Sequence, residues 1–154
     1  MEIKDMHRAS LYRYFIWADR LREYFEKAIV ATKDMESSVE STWADDYGLF
    51  MAHWYGALYV VVEGWRVMGL KDTVVDTLLE SPNVALLKQF RHATFHFQKE
   101  YFDVRFAKFW HDSKETVPWI RQLNGAFGQF FLKEMGSRAG LNIKADWPRK
   151  SNAT

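Results

Sequence analysis

YGLFMAHWYGALYVVV, residues 47–62, runs through 16 positions without an Asp, Glu, Lys or Arg. As a bilayer span it is short of the roughly 20 apolar residues a hydrocarbon core requires, and His53 sits inside it. As a strand, only residues 59–62 have the β-branched and aromatic character. They continue a longer helical segment whose interruptions are the isolated Gly56 and Gly64. The run therefore predicts a buried helix, and a helix apolar all round needs other helices to cover it.

The flanking sequence supplies them. Over residues 5–32, Leu11, Tyr14, Phe15, Ala18, Leu21, Phe25, Ala28 and Ile29 recur at spacings of three and four. Arg13, Asp19, Arg20, Arg22, Glu23, Glu26 and Lys27 fill most of the other side, which predicts an amphipathic helix. Residues 33–41 are polar. Thr42 with Asp45 three positions on predicts the cap of the second helix, which runs to Met68 with Gly69 as its carboxyl-terminal stop. Residues 71–80 predict a short connecting helix. Ser81-Pro82 then starts a third long helix, Ser capping and Pro in the first turn. Residues 83–110 contain no Gly or Pro, so that helix is expected to reach Trp110. A fourth is expected over residues 114–137, with Val117, Ile120, Phe127, Phe130 and Phe131 inward. The fold class is all-α: a four-helix bundle with an additional short helix, one domain over residues 1–140 and a mobile tail over 141–154.

Composition narrows the function classes. With 21 Lys and Arg against 20 Asp and Glu, the chain is not a polybasic phosphate-neutralising protein, so any nucleic-acid contact is local. The absence of Cys excludes disulfides and Cys-ligated zinc or iron–sulfur sites. The first ten residues include Glu2, Lys4, Asp5 and Arg8 and lack an apolar core, which reads as no secretory signal and a cytoplasmic location. No Walker loop, dinucleotide-binding glycine fingerprint or nucleophile elbow is present. Most of the 12 Phe, 7 Tyr and 7 Trp stand at helical spacing, which reads as core and dimer interface rather than base-stacking platforms.

Chemistry concentrates in LKQFRHATFHFQKE, residues 87–100, where Arg91, His92 and His96 fall within six positions among aromatic residues. On a continuous helix His92 and His96, four apart, share a face, and Arg91 reaches around from beside them. Phe90-Arg91-His92-Ala93-Thr94-Phe95-His96-Phe97 resembles the signature of HEPN domains (higher eukaryotes and prokaryotes nucleotide-binding): an Arg, a polar residue, and a His after three further positions. The resemblance implies a helical bundle, typically dimeric, of which many members are metal-independent endoribonucleases in toxin–antitoxin and abortive-infection systems. It implies Arg91 and His96 as the catalytic pair, with His92 as the polar residue beside the Arg, where many family members have Asn or Asp. It also implies RNA as substrate, no cofactor, a homodimer with a shared cleft, and an antitoxin protein as partner.

Those residue types suit the reaction. Metal-independent RNA cleavage needs a group to take the ribose 2′-hydroxyl proton, a group to protonate the leaving 5′-oxygen, and a cation for the charged transition state. Imidazole, with an unperturbed pKa near ~6.5, serves the first two, and a permanently charged guanidinium the third. Glu63, a charge at the edge of the apolar run, either orients Arg91 or His96 from the facing helix or forms a simple local salt bridge beside Arg66. Residues 88–108 carry five basic side chains against two acidic ones, and Lys88, Lys99 and Arg105 are the candidates for substrate binding.

Two other readings remain open at this point. A silent HEPN-like bundle would bind a protein partner or nucleotide, with Arg91 paired to Glu63 and His96 hydrogen-bonded in the core. A DinB-like metal-binding bundle would use His92 and His96, extended by Glu100, with His53 completing the set across the bundle.

Overall fold

A computed structural model of the chain describes residues 3–32, 46–100 and 113–135. Five helices account for most of these residues, with no strand among them: α1 (Ile3–Thr32), α2 (Asp46–Val67), α3 (Thr73–Leu79), α4 (Asn83–Phe95) and α5 (Ser113–Met135). The bundle and its short connecting helix are as the sequence predicts. The expected Thr42–Asp45 cap and the 141–154 tail lie outside the described residues.

α2 lies at the centre. From residue 50 to residue 65 none of its positions is exposed, and Trp54, Tyr55, Leu58, Val61 and Val62 are fully buried. α1 covers one side in antiparallel fashion, with Leu11 against Gly64 and Phe25 against Trp54 and Tyr47. α4 covers another, placing Phe90 edge-on to Tyr55 and Arg91 beside Glu63. α5 closes the bundle through Phe127 and Phe130 on Trp65 and through Phe131 on Tyr12 and Phe15. No described helix is long and apolar enough to cross a membrane.

The helix ends follow local chemistry. α2 stops at Gly69, whose φ of 60° is a left-handed conformation that glycine adopts cheaply. The amides of Gly69 and Leu70 fold back to the carbonyls of Arg66 and Trp65, a pattern that satisfies orphan acceptors. Asp72 caps α3 by accepting from the amides of Val74 and Val75 at 2.9 and 3.1 Å. The Ser-Pro signal opens α4 one residue later than expected: Pro82 is the N-cap and Asn83 the first helical residue, with Ser81 Oγ accepting from the Asn83 amide at 3.2 Å.

Two expectations about side chains change. Asp19, assigned to the polar side of α1, is only 2% exposed, while Tyr14, assigned to the core, is 38% exposed. Tyr12 takes an inward place instead, at 3%. Asp19 is admitted because it is fully engaged: Oδ1 accepts from Arg22 Nε and from Asn124 Nδ2, each at 2.8 Å, and Asn124 Oδ1 accepts from Trp54 Nε1 at 3.0 Å. Burial works against the Arg22 charge, yet Asp19, with Glu26 and Glu23 nearby, holds that guanidinium above its ordinary range. One polar chain therefore ties α1, α2 and α5 at a single level of the core.

Asn124→Ala strands a buried indole N–H and removes one partner of a buried carboxylate, so the expected loss of unfolding free energy is about 3 kcal/mol, measured by urea titration. Alkali gives a second check. Burial raises the phenols of Tyr47, Tyr55 and Tyr59 above their ordinary value of 10.0. A phenol raised in the folded state stabilises fully below the unfolded value and loses that contribution as pH climbs towards the folded one. Urea midpoints should hold level to about pH 9 and fall above about pH 10, with phenolate absorbance from these rings appearing together with unfolding.

Candidate functional site

The end of α4 is where the predicted site residues meet. Leu87, Phe90 and Ala93 face inward and are buried, which fixes the rotation of the helix. That rotation turns Arg91 towards α2 and leaves His92 in solvent. Arg91 Nη2 lies 3.8 Å from Glu63 Oε2, and both side chains are partly open to water. Of the two roles the sequence allowed Glu63, the structure shows contact with Arg91.

α4 ends at Phe95, fifteen residues before the expected Trp110. His96 has left the helix, with φ −121° and ψ 134°, and its amide still donates to the His92 carbonyl at 3.2 Å. Freedom from Gly and Pro does not carry a helix forward when there is no apolar face to bury. His96, Phe97, Lys99 and Glu100 are all exposed, and Phe97 is 92% exposed. The expected His92 and His96 face on a continuous helix is thus replaced by a closer arrangement. Turning out of the helix brings the two rings to 4.2 Å between centroids, tilted by 39°.

Phe95 holds this turn in place. Its ring lies over Gly56 so closely that a Cβ there would come within 2.1 Å of Phe95 Cε2, and it meets the His53 ring edge-on at 5.6 Å. No side chain larger than hydrogen at position 56 is compatible with that ring position. The sequence signal was an isolated glycine in an otherwise bulky helix, which marks a close approach without naming what approaches. Two further hydrogen bonds support the segment: Thr94 Oγ1 donates to the Phe90 carbonyl, and Gln98 Nε2 donates to the His96 carbonyl at 2.7 Å.

The expected metal-ligand set is not assembled among the described residues. His53 Nδ1 lies 2.8 Å from the Leu49 carbonyl. A carbonyl only accepts, so Nδ1 carries the proton and the lone pair of this ring is on Nε2. Among the described residues no group of three or more His, Cys, Asp or Glu is placed to hold an ion, so His53, His92, His96 and Glu100 do not assemble a ligand set. The silent reading is corrected in one part, since His96 is exposed rather than buried in the core. Of the basic residues assigned to substrate, Lys88 and Lys99 are exposed, and Arg105 lies outside the described residues, as does His111. His7 is solvent-facing near the start of α1.

The resulting arrangement is one guanidinium steadied by a carboxylate on the facing helix, followed along the chain by two exposed imidazoles in ring contact. Such a set places two side chains of the proton-donating and proton-accepting type beside a fixed positive charge. Compared with family models, with curated proteins and with solved structures, the chain matches none.

The Arg91–Glu63 pair is open to solvent and long, so its contribution to stability is small. A double-mutant cycle with Arg91→Gln and Glu63→Gln should give a coupling below about 1 kcal/mol in urea unfolding. A larger value would make the pair a structural clamp.

Proposed function

We propose that the chain is a metal-independent endoribonuclease of HEPN type, acting as a homodimer. The observation that carries this reading is the contact of two exposed imidazoles, His92 and His96, directly after Arg91. His96 takes the proton of a ribose 2′-hydroxyl as its oxygen attacks the adjacent phosphorus. The bond to the 5′-oxygen breaks, and His92 returns a proton to that leaving oxygen. Arg91 stabilises the added negative charge on the phosphoryl oxygens, with Glu63 as its positioning partner. The products are a 2′,3′-cyclic phosphate and a 5′-hydroxyl, with no oxidant or metal required. A two-fold axis sets two copies of Arg91 and His96 across one groove, and Lys88, Lys99 and Arg105 draw the strand towards it. As a toxin or defence effector, such an enzyme calls for a neutralising antitoxin protein.

A second reading has an observation of its own. The Arg91–Glu63 ion pair already gives the guanidinium an anionic partner, as a silent bundle that binds a protein or nucleotide would.

The two separate in one experiment: cellular RNA incubated in excess EDTA with wild-type protein and with His96→Ala, followed by end-group determination. The expected outcome is cleavage by the wild type leaving 2′,3′-cyclic ends, reduced by about 100-fold or more in His96→Ala, the range for losing a general base. Equal cutting by both proteins would remove His96 from the chemistry. A folded wild-type dimer that leaves RNA intact would establish the silent reading in its place.

A further inference from the structure

The solvent side of α1 carries a second row of large side chains that the core does not use. Tyr14, Trp17 and Tyr24 are 38, 49 and 52% exposed. Beside them stand Arg13, Arg20 and Lys27, all exposed. Their seven-residue spacing is close to two helical turns, so the three cations line up along one edge of the row, about 10 Å apart and spanning about 21 Å.

Cations and rings are already in register. The Arg13 guanidinium lies 5.5 Å from the Tyr14 ring centre and 5.1 Å from that of Trp17, and Lys27 Nζ lies 5.5 Å from Tyr24. Tyr14 and Trp17 meet edge-on at 5.4 Å, and Tyr24 stacks on Phe50 of α2 at 5.3 Å, so the aromatics are held rather than loose. The carboxylates of this part of α1 are drawn the other way. Asp19 is buried on Arg22 and Asn124, Glu26 pairs with Arg121 of α5, and Glu23 has Oε1 buried. The helix is therefore polarised across its axis, and the outer ridge has three positive charges and three broad rings with no carboxylate between them.

We propose that this ridge of α1 binds single-stranded RNA, with unpaired bases stacking on Tyr14, Trp17 and Tyr24 while Arg13, Arg20 and Lys27 neutralise the phosphates alongside. Rings interleaved with cations are what a flexible polyanion with exposed π-faces recognises, and they are indifferent to sequence because every base has a π-face. A duplex hides those faces, so the rings gain nothing from it. A lipid surface asks for a wide continuous apolar face, whereas the exposed Arg20 stands between Trp17 and Tyr24 here. The inference shares a ligand class with the proposed nuclease and does not rest on its chemistry.

The test uses the full chain carrying His96→Ala, so that cleavage does not intrude, and reads the anisotropy of a labelled short oligouridine. A duplex RNA and vesicles of phosphatidylserine with phosphatidylcholine are run in parallel. The expected result is binding to oligouridine with a slope of log K against log salt near about −2, since about 0.7 ions are released for each of three neutralised phosphates. Trp17→Ala or Tyr24→Ala should each weaken binding roughly 5- to 150-fold, the worth of one stacked base. Arg20→Gln with Lys27→Gln should bring the slope towards about −0.7. Because these side chains are exposed, circular dichroism is expected to stay at the parent value, and Trp17→Phe should restore most of the affinity. No binding to oligouridine, binding untouched by the ring substitutions, or binding to vesicles in place of RNA would each overturn the proposal. RNA held by the ridge in a protein that never cleaves would discard the nuclease and keep this site. Cleavage by a wild type whose ridge fails these tests would do the reverse.

Discussion

α2 carries Trp54, Tyr55, Leu58, Val61 and Val62 at full burial, and nothing between residues 50 and 65 is exposed. At ~1.5–3 kcal/mol for each large apolar side chain removed from water, leaving any face of this helix uncovered would cost more than a domain of this size has to spare. Three further long helices are the response, and their rotations follow from what they must turn towards α2. The candidate site is a by-product of that requirement. With Leu87, Phe90 and Ala93 turned inward, Arg91 falls against the one stretch of α2 where charge reappears, at Glu63, and His92 is left facing water.

Apolar burial alone would let the helices slide and rotate among near-equivalent packings. The chain Arg22–Asp19–Asn124–Trp54 restricts them, because each of its buried hydrogen bonds is satisfied only at one relative height of α1, α2 and α5. The same device organises charge. With Asp19 inside and Glu26 committed to Arg121, the acidic side chains of mid-α1 are used within the bundle and Arg13, Arg20 and Lys27 keep the outside. The polar link and the basic aromatic ridge are thus two sides of one arrangement of α1.

The fold class was legible because helical periodicity and stop signals agree over most of the chain. Gly69 and the charge-free run each mean one thing physically, and each does what it indicates, while the Ser81-Pro82 start is displaced by one residue. Individual positions on α1 were less legible. Tyr14 obeys the same three-and-four spacing as the core residues, so periodicity alone could not tell the stripe facing α2 from the parallel row of rings facing water. Asp19 went unrecognised because a buried carboxylate depends on partners 3 and 105 positions away, and only the first of these, Arg22, is local. Arg91, His92 and His96 were found as chemistry-bearing types, and Glu63 as a companion, but their mutual geometry was not.

That geometry turns on where α4 ends, which no residue type announces. Thr94 and Phe95 are modest helix formers, not breakers, and residues 96–100 contain neither Gly nor Pro. A helix persists where each further turn adds buried surface, and over residues 96–100 the side chains are exposed apart from the half-buried Gln98, while the Phe95 ring fills the notch at Gly56. Had the helix continued, His92 and His96 would sit one above the other on a regular surface, their separation set by helical pitch. Leaving it at His96 frees that ring to lean back over His92 while the Phe95 ring, seated on Gly56, anchors the point of departure. The histidine pair is therefore a consequence of where α4 ends. The residue that makes room for the Phe95 ring at that point is a glycine on a different helix, 40 positions before His96.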